Sequence, residues 1–235
     1  MLVVFFDIDG TLLTTGGAGG TAMRRALTRQ FGVEHPADVP FSGRTDRGIG
    51  AAFFAAHGIE DTDTHWQLFR RAYVEELKRQ LPHHQGSVLP GIPALVSRLR
   101  RQSNVAIGLL TGNVRSGAEL KLDYYGLGGH FAFGGFGDVH HHRDRVAHDA
   151  LAEAKQRTNG SLTRAVVIGD TPLDVSCARA VGADVIAVAT GIHSRDELAA
   201  SQPDLLLDDL SDLSRVWEFL TRAAPARPEA GGRRL

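Results

Sequence analysis

The chain has 235 residues, 43% of them hydrophobic and 23% charged, with 27 glycines, nine prolines and one cysteine; at roughly 100 to 200 residues per domain this excludes a disordered or fibrous chain and allows one large domain or two modest ones. A formal net charge of -1 excludes the overall basic field that drives sequence-independent nucleic-acid binding. The single Cys177 excludes an intramolecular disulfide, and no apolar run approaches the roughly 18 residues that read as a membrane span.

In chain order, residues 2–8 form the first short apolar run, with no cationic segment before it, so neither a secretory leader nor a membrane anchor is expected. A cytoplasmic protein follows as the expectation. The glycine-rich stretch Gly16-Gly17-Ala18-Gly19-Gly20 comes next; no Gly-Lys-Ser/Thr follows it, so it is read as a hinge and not as a phosphate loop. Segments 22–31, 46–57 and 64–81 carry apolar residues near a 3.6 period and are predicted as helices, with Phe53, Phe54, Trp66, Phe69 and Tyr73 as their core. The Pro-bounded stretch 82–90 reads as a linker. Apolar runs then recur at 105–110, 165–168, 185–189 and, more weakly, 205–207, with amphipathic segments such as 143–157 between them. Short runs separated by helical segments predict a parallel α/β sheet, Rossmann-like, with helices on both faces. The organisation expected is a core of residues 1–15 and 87–221, an inserted all-α unit of residues 16–86, and a flexible tail over 222–235, where breakers are dense and periodicity is absent.

In open parallel sheets ligands bind beyond the carboxyl ends of strands, so the polar residues that close the apolar runs are the candidate site. Three runs close informatively, on Asp7-Ile8-Asp9-Gly10-Thr11, on Thr111-Gly112-Asn113 and on Gly169-Asp170-Thr171-Pro172-Leu173-Asp174. Asp7 and Asp9 stand two residues apart and can face one ligand. With Asp170 and Asp174 they form an all-oxygen acidic set that suits Mg²⁺. Any one of these aspartates has an ordinary reading as a strand terminator or helix cap; the convergence of all of them is what points to a site. His140, His141 and His142, adjacent and therefore divergent, read as a polar loop and not a metal site, and Cys177 as a small buried residue.

These motifs, Asp7-Ile8-Asp9-Gly10-Thr11-Leu12-Leu13, Thr111-Gly112-Asn113 and Gly169-Asp170-Thr171-Pro172-Leu173-Asp174, resemble the first, second and fourth motifs of the haloacid dehalogenase superfamily of phosphohydrolases. Gly43-Arg44-Thr45-Asp46 is similar to a stretch in the cap of the phosphoglycolate phosphatase-like branch, whose cap is of the α-helical C1 type. The resemblance implies a Mg²⁺-dependent phosphatase acting on a small phosphate monoester, a phosphorylated metabolite. Asp7 would be the nucleophile and Asp9 the general acid and base. Mg²⁺ would be held by Asp7, the backbone carbonyl of Asp9 and Asp170; Thr111, Gly112 and Asn113 would bind phosphoryl oxygens; Arg44 and Thr45 would reach the substrate from the cap. The family's third motif supplies a lysine, and here the pattern departs. No lysine lies between Lys121, on the helix after Thr111, and Lys155, too near Asp170. Arg143 has the right separation and takes the cationic role, oriented by Asp174, with Arg145 as the alternative. Two other activities fit parts of the pattern: a sugar phosphomutase of the same superfamily, and a phospho-accepting or non-catalytic binding protein. Oligomeric state is not legible.

Overall fold

The computed structural model describes residues 1–222. The tail expected over 222–235 lies, beyond Arg222, outside the described residues. Strand β1 (Leu2–Phe6) has the sequence LVVFF, apolar at every position, because both of its faces are covered. Val4 and Phe6 point into one hydrophobic layer, Val3 and Phe5 into the other.

Around β1 the chain builds a six-stranded parallel sheet. β4 (Val105–Leu110) and β6 (Arg164–Gly169) pair with its two edges, Phe6 standing opposite Leu109 on one side and Ile168 on the other. β5 (Gly134–Gly135) lies outside β4; β7 (Asp184–Val188) and β8 (Leu205–Leu207) extend the sheet beyond β6. Helices α4 (Ile92–Arg100), α5 (Arg115–Tyr124) and α9 (Leu213–Thr221) cover one face. Helices α6 (Arg143–Arg157), α7 (Pro172–Ala180) and α8 (Arg195–Ala200) cover the other. The chain leaves β1 to one side and returns to β6 on the other, so the crevice at the carboxyl ends of β1, β4 and β6 is a topological switch point.

Helices α1 (Ala18–Phe31), α2 (Asp46–Ala56) and α3 (Asp63–Gln80) pack around their own apolar cluster, in which Phe53, Phe54, Trp66, Phe69 and Tyr73 stand together. The chain enters this block through β2 (Leu13–Thr14) and leaves it through β3 (Ser87–Val88), two strands paired antiparallel. α1 begins at Ala18, earlier than the expected 22. Of the glycine run only Gly16 and Gly17 hold left-handed backbone, with φ of 61° and 94°; Gly19 and Gly20 are helical.

The block is seated on the carboxyl ends of the strands by main-chain contacts. Asp46 N–H donates to Gly112 O over 2.6 Å and Arg47 N–H to Gly137 O over 3.1 Å. Asp138 adds a polar node, accepting from Trp66 Nε1 through its carbonyl and from Arg70 and Arg115 N–H through its carboxylate. The histidine run serves this junction as a polar loop: His141 O accepts from Thr45 Oγ1, and His140 Nε2 pairs with Asp149.

Candidate active site

Asp7 follows the last residue of β1 and is held there by its N–H, which bonds Ile168 O of β6. Asp170 follows β6, and Asp174 lies in the first turn of α7. The three carboxylates offer oxygens within 4.8 Å of one another, and all three residues are buried. Only glycine fits around Asp170: a Cβ at Gly10, whose φ is 83°, or at Gly191 would overlap its carboxylate. Thr11 Oγ1 fixes the other oxygen from 2.9 Å.

So many anions cannot persist without cations. Arg143, at the start of α6, supplies one: the same Nη2 lies 3.1 Å from Asp7 Oδ1 and 2.5 Å from Asp174 Oδ1. Burial opposes the charge of Arg143, yet Asp174 and Asp7 outweigh it and its pKa is raised. Arg145, two residues on, is exposed. One guanidinium is insufficient for the cluster. Burial, opposed by Arg143 and reinforced by Asp174 and Asp9, pushes the Asp7 carboxyl up to about 6. Asp170 is raised well above the carboxylate range by burial and by the charges of Asp174 and Asp7.

The donor set fits a hard divalent cation, since three carboxylates converge with fewer positive charges than they need. Asp174 is the least available of them. Its Oδ1 is taken by Arg143 and its Oδ2 closes a capping box with Thr171, receiving both N–H and O–H. Asp7 and Asp170 are therefore the side chains that would hold the ion, with Asp174 anchoring Arg143. The Asp9 carboxylate is not in this cluster. It turns to the opposite wall, where Asn113 Nδ2 and Lys121 Nζ donate to Oδ2 over 2.8 and 2.6 Å.

A cavity of about 470 Å³ opens between the strand ends and the helical block. Asp7, Asp9, Asp170, Arg143, Gly112 and Asn113 form its floor. Gly19, Gly20, Met23, Ile49 and Tyr73 close it from the block, and Arg44, itself exposed, borders it. Of the expected ligand contacts, one stands elsewhere and one just behind the wall. Thr45 is fully buried, its hydroxyl accepting from Gly48 N–H as the cap of α2 and donating to His141 O, and it is not part of the cavity wall. Thr111 lies just behind the wall; its oxygen accepts from Asn113 N–H and Nδ2, which leaves its proton free to be donated. Cys177 packs beneath Arg143 with its thiol pushed up to about 12, chiefly by burial, which leaves it inert.

Two cavity residues escaped the sequence reading. Asp46 is buried and its carboxylate accepts from Val114 N–H at the start of α5. Lys121, on α5, is buried among Asp9 and Asn113; its eight-residue separation from Asn113, two residues before that helix, was the available signal.

An open parallel sheet with a carboxylate at the end of its first strand, a second carboxylate site across the switch point and a helical block over the crevice defines a Rossmann-like α/β protein with an acidic site at the switch point. The chain belongs to the haloacid dehalogenase-like hydrolase family, which matches residues 4–179. It is 29% identical to a phosphoglycolate phosphatase from Synechococcus elongatus, over 94% of this chain and 100% of that one. It is 23% identical to the pyrophosphatase PpaX from Bacillus cereus, over 94% and 98%. Among solved structures it shares its fold with CbbY from Rhodobacter sphaeroides in complex with phosphate, at a TM-score of 0.70 and 21% identity, over 90% of this chain and 95% of that one. No helix among the described residues is long and apolar enough to cross a membrane.

Proposed function

We infer that the protein is a Mg²⁺-dependent phosphatase of small phosphate monoesters, working through an aspartyl-phosphate on Asp7. The observation that carries this reading is the placement of Asp7 at the cavity floor, with Arg143 bridging it to Asp174 and Asp170 facing it. The relatives named above, one a phosphoglycolate phosphatase and one a pyrophosphatase, support phosphoryl transfer to water.

In this reading an Asp7 carboxylate oxygen attacks phosphorus, the ester P–O bond breaks, and its electron pair stays on the alcohol oxygen. Asp9 gives that oxygen a proton. Water then attacks the phosphorus, Asp9 takes its proton, and the bond to Asp7 breaks to release inorganic phosphate. Arg143 holds Asp7 Oδ1, which leaves the second oxygen to react. The Thr111 hydroxyl and the N–H groups of Gly112 and Asn113, next to the start of α5, receive the phosphoryl oxygens. When bound at Asp7 and Asp170, Mg²⁺ supplies the positive charge that lets a carboxylate approach a phosphate dianion. The helical block acts as a cap that closes the cavity from water and chooses the alcohol, with Gly16 and Gly17 as one hinge.

The test is release of phosphate from p-nitrophenyl phosphate and from 2-phosphoglycolate, with Mg²⁺ and with chelator. Activity that needs Mg²⁺ and vanishes in Asp7→Asn is the expected result; turnover unchanged in Asp7→Asn overturns the nucleophile. A glucose 1-phosphate assay primed with bisphosphate separates hydrolysis from mutase chemistry.

A further inference from the structure

Asp9, Asn113 and Lys121 close a triangle of side chains on one wall of the cavity. Lys121 Nζ lies 2.6 Å from Asp9 Oδ2 and 2.6 Å from Asn113 Oδ1, and Asn113 Nδ2 donates to the same Asp9 oxygen over 2.8 Å. The lysine side chain is 3% exposed and that of Asp9 41%, so the ammonium stands behind a carboxylate that opens to the cavity. Burying an ammonium is costly unless its surroundings are polar. Its setting is polar: Asp9 and Asn113 accept its hydrogen bonds, and Asp46 on α2 lines the same cavity from the helical block.

The consequence concerns the two oxygens of Asp9. Both donors converge on Oδ2, and among the described residues nothing donates to Oδ1. An oxygen that already accepts two N–H bonds has no room for a proton, so the proton of the acid form sits on Oδ1. We propose that Lys121 is a positioning residue for the leaving-group step: together with Asn113 it clamps Asp9 by Oδ2 and so presents Oδ1 to the oxygen of the departing alcohol. This rests on the phosphatase reading above. As the P–O bond breaks, the alcohol oxygen keeps the electron pair and takes the Oδ1 proton. Asp9 becomes a carboxylate, and the ammonium at Oδ2 faces the charge it acquires. The hydrogen bonds of Lys121 go to Asp9 and Asn113 and not to Asp7, so it acts through Asp9.

A residue that works through the acid matters only where the acid is needed. p-Nitrophenolate leaves without a proton, whereas an alkoxide does not. In Lys121→Met, which keeps length and loses every donor, the Mg²⁺-loaded enzyme should release the alcohol of ethyl phosphate about 100-fold more slowly in a single turnover. The first p-nitrophenolate from p-nitrophenyl phosphate should slow by less than about fivefold, and KM should change little for either substrate. In an Asp9→Asn background the same substitution should add less than about threefold, because the acid it serves is already gone. Equal losses on the two substrates, no loss on either, or full multiplication with Asp9→Asn would overturn the assignment. If Lys121→Met fails to fold, Lys121→Gln is read by the same ratio. Absence of Mg²⁺-dependent turnover of either substrate by the unmodified enzyme is a different result: it removes the phosphatase reading and the role of Lys121 with it.

Discussion

Arg143 shows how much one side chain can hold. Its guanidinium joins Asp7 to Asp174 and also donates to the carbonyls of Leu110 and Gly43, so it ties β4, the 43–46 segment and the two acidic motifs together. Removing one member of a buried charge network costs about 3–5 kcal/mol because the partners stay buried and unpaired. Arg143→Ala is therefore expected to lose stability on that scale along with activity, whereas Arg145→Ala, on the exposed side of α6, should stay within about 0.5 kcal/mol. Urea unfolding of the two variants checks the pair; comparable losses would mean that the cationic role has been given to the wrong arginine. Asp7→Asn removes a carboxylate that burial disfavours, so it should keep the fold while losing at least about a thousandfold in kcat. A chevron or melt of Asp7→Asn beside its turnover separates the two effects. Arg143 was legible in the sequence because it sits at a fixed separation from the fourth motif at a helix start. Lys121 was not, because its partner Asp9 is 112 positions away and only the fold joins them.

At the scale of elements, legibility followed hydrophobic signal. β1, β4 and β6 are buried on both faces and appear as unbroken apolar runs. β5 is two glycines against α6, where a Cβ at Gly135 would overlap the carbonyl of Val146, and glycine carries no such signal. The first turn of α1 was missed for the same reason: Gly19 and Gly20 read as a hinge, yet they are helical and thin the wall beside Lys121 and Phe41. At the start of α2, Thr45, expected to reach the substrate, is the helix cap and lies off the cavity wall, while its neighbour Asp46 reaches the cavity. Asp46 brings a consequence for stability. Burial pushes its carboxyl up to about 7, against the opposing effect of Lys121 and of the Val114 N–H. A group whose pKa is raised on folding binds its proton more tightly in the folded state. Its contribution is complete below the ordinary carboxylate range and is lost as pH climbs to and through about 7. Asp46→Asn, which can still accept from Val114 N–H, should flatten the decline in stability between pH 4 and 7 and melt higher than the parent at pH 8. Thermal melts across that range test it, and an unchanged slope would show that Asp46 is solvated.

Across the whole molecule the near-zero net charge conceals an uneven distribution, with Asp7, Asp170 and Asp174 gathered at one point and a single guanidinium among them. The fold assembles this cluster from two strand ends and one helix start, so their mutual repulsion opposes folding of the metal-free chain. A cation that binds only the assembled cluster stabilises the fold by mass action, by about 2.7 kcal/mol at a hundredfold excess over Kd. For a chain of this length that corresponds to a rise of roughly 5–10 °C in Tm. Millimolar Mg²⁺ should therefore raise the melting temperature of the unmodified protein, and chelator should reverse it. Asp170→Asn separates repulsion from ligation: without metal it should melt above the parent, because one buried anion is gone and Thr11 Oγ1 keeps an acceptor, while its response to Mg²⁺ should largely disappear. A control at equal ionic strength with NaCl removes general screening. An equal Mg²⁺ response in parent and Asp170→Asn would place the ion elsewhere. A metal-free Asp170→Asn less stable than the parent would mean that Arg143 and hydrogen bonds already balance the cluster, and that the cation is needed for chemistry alone.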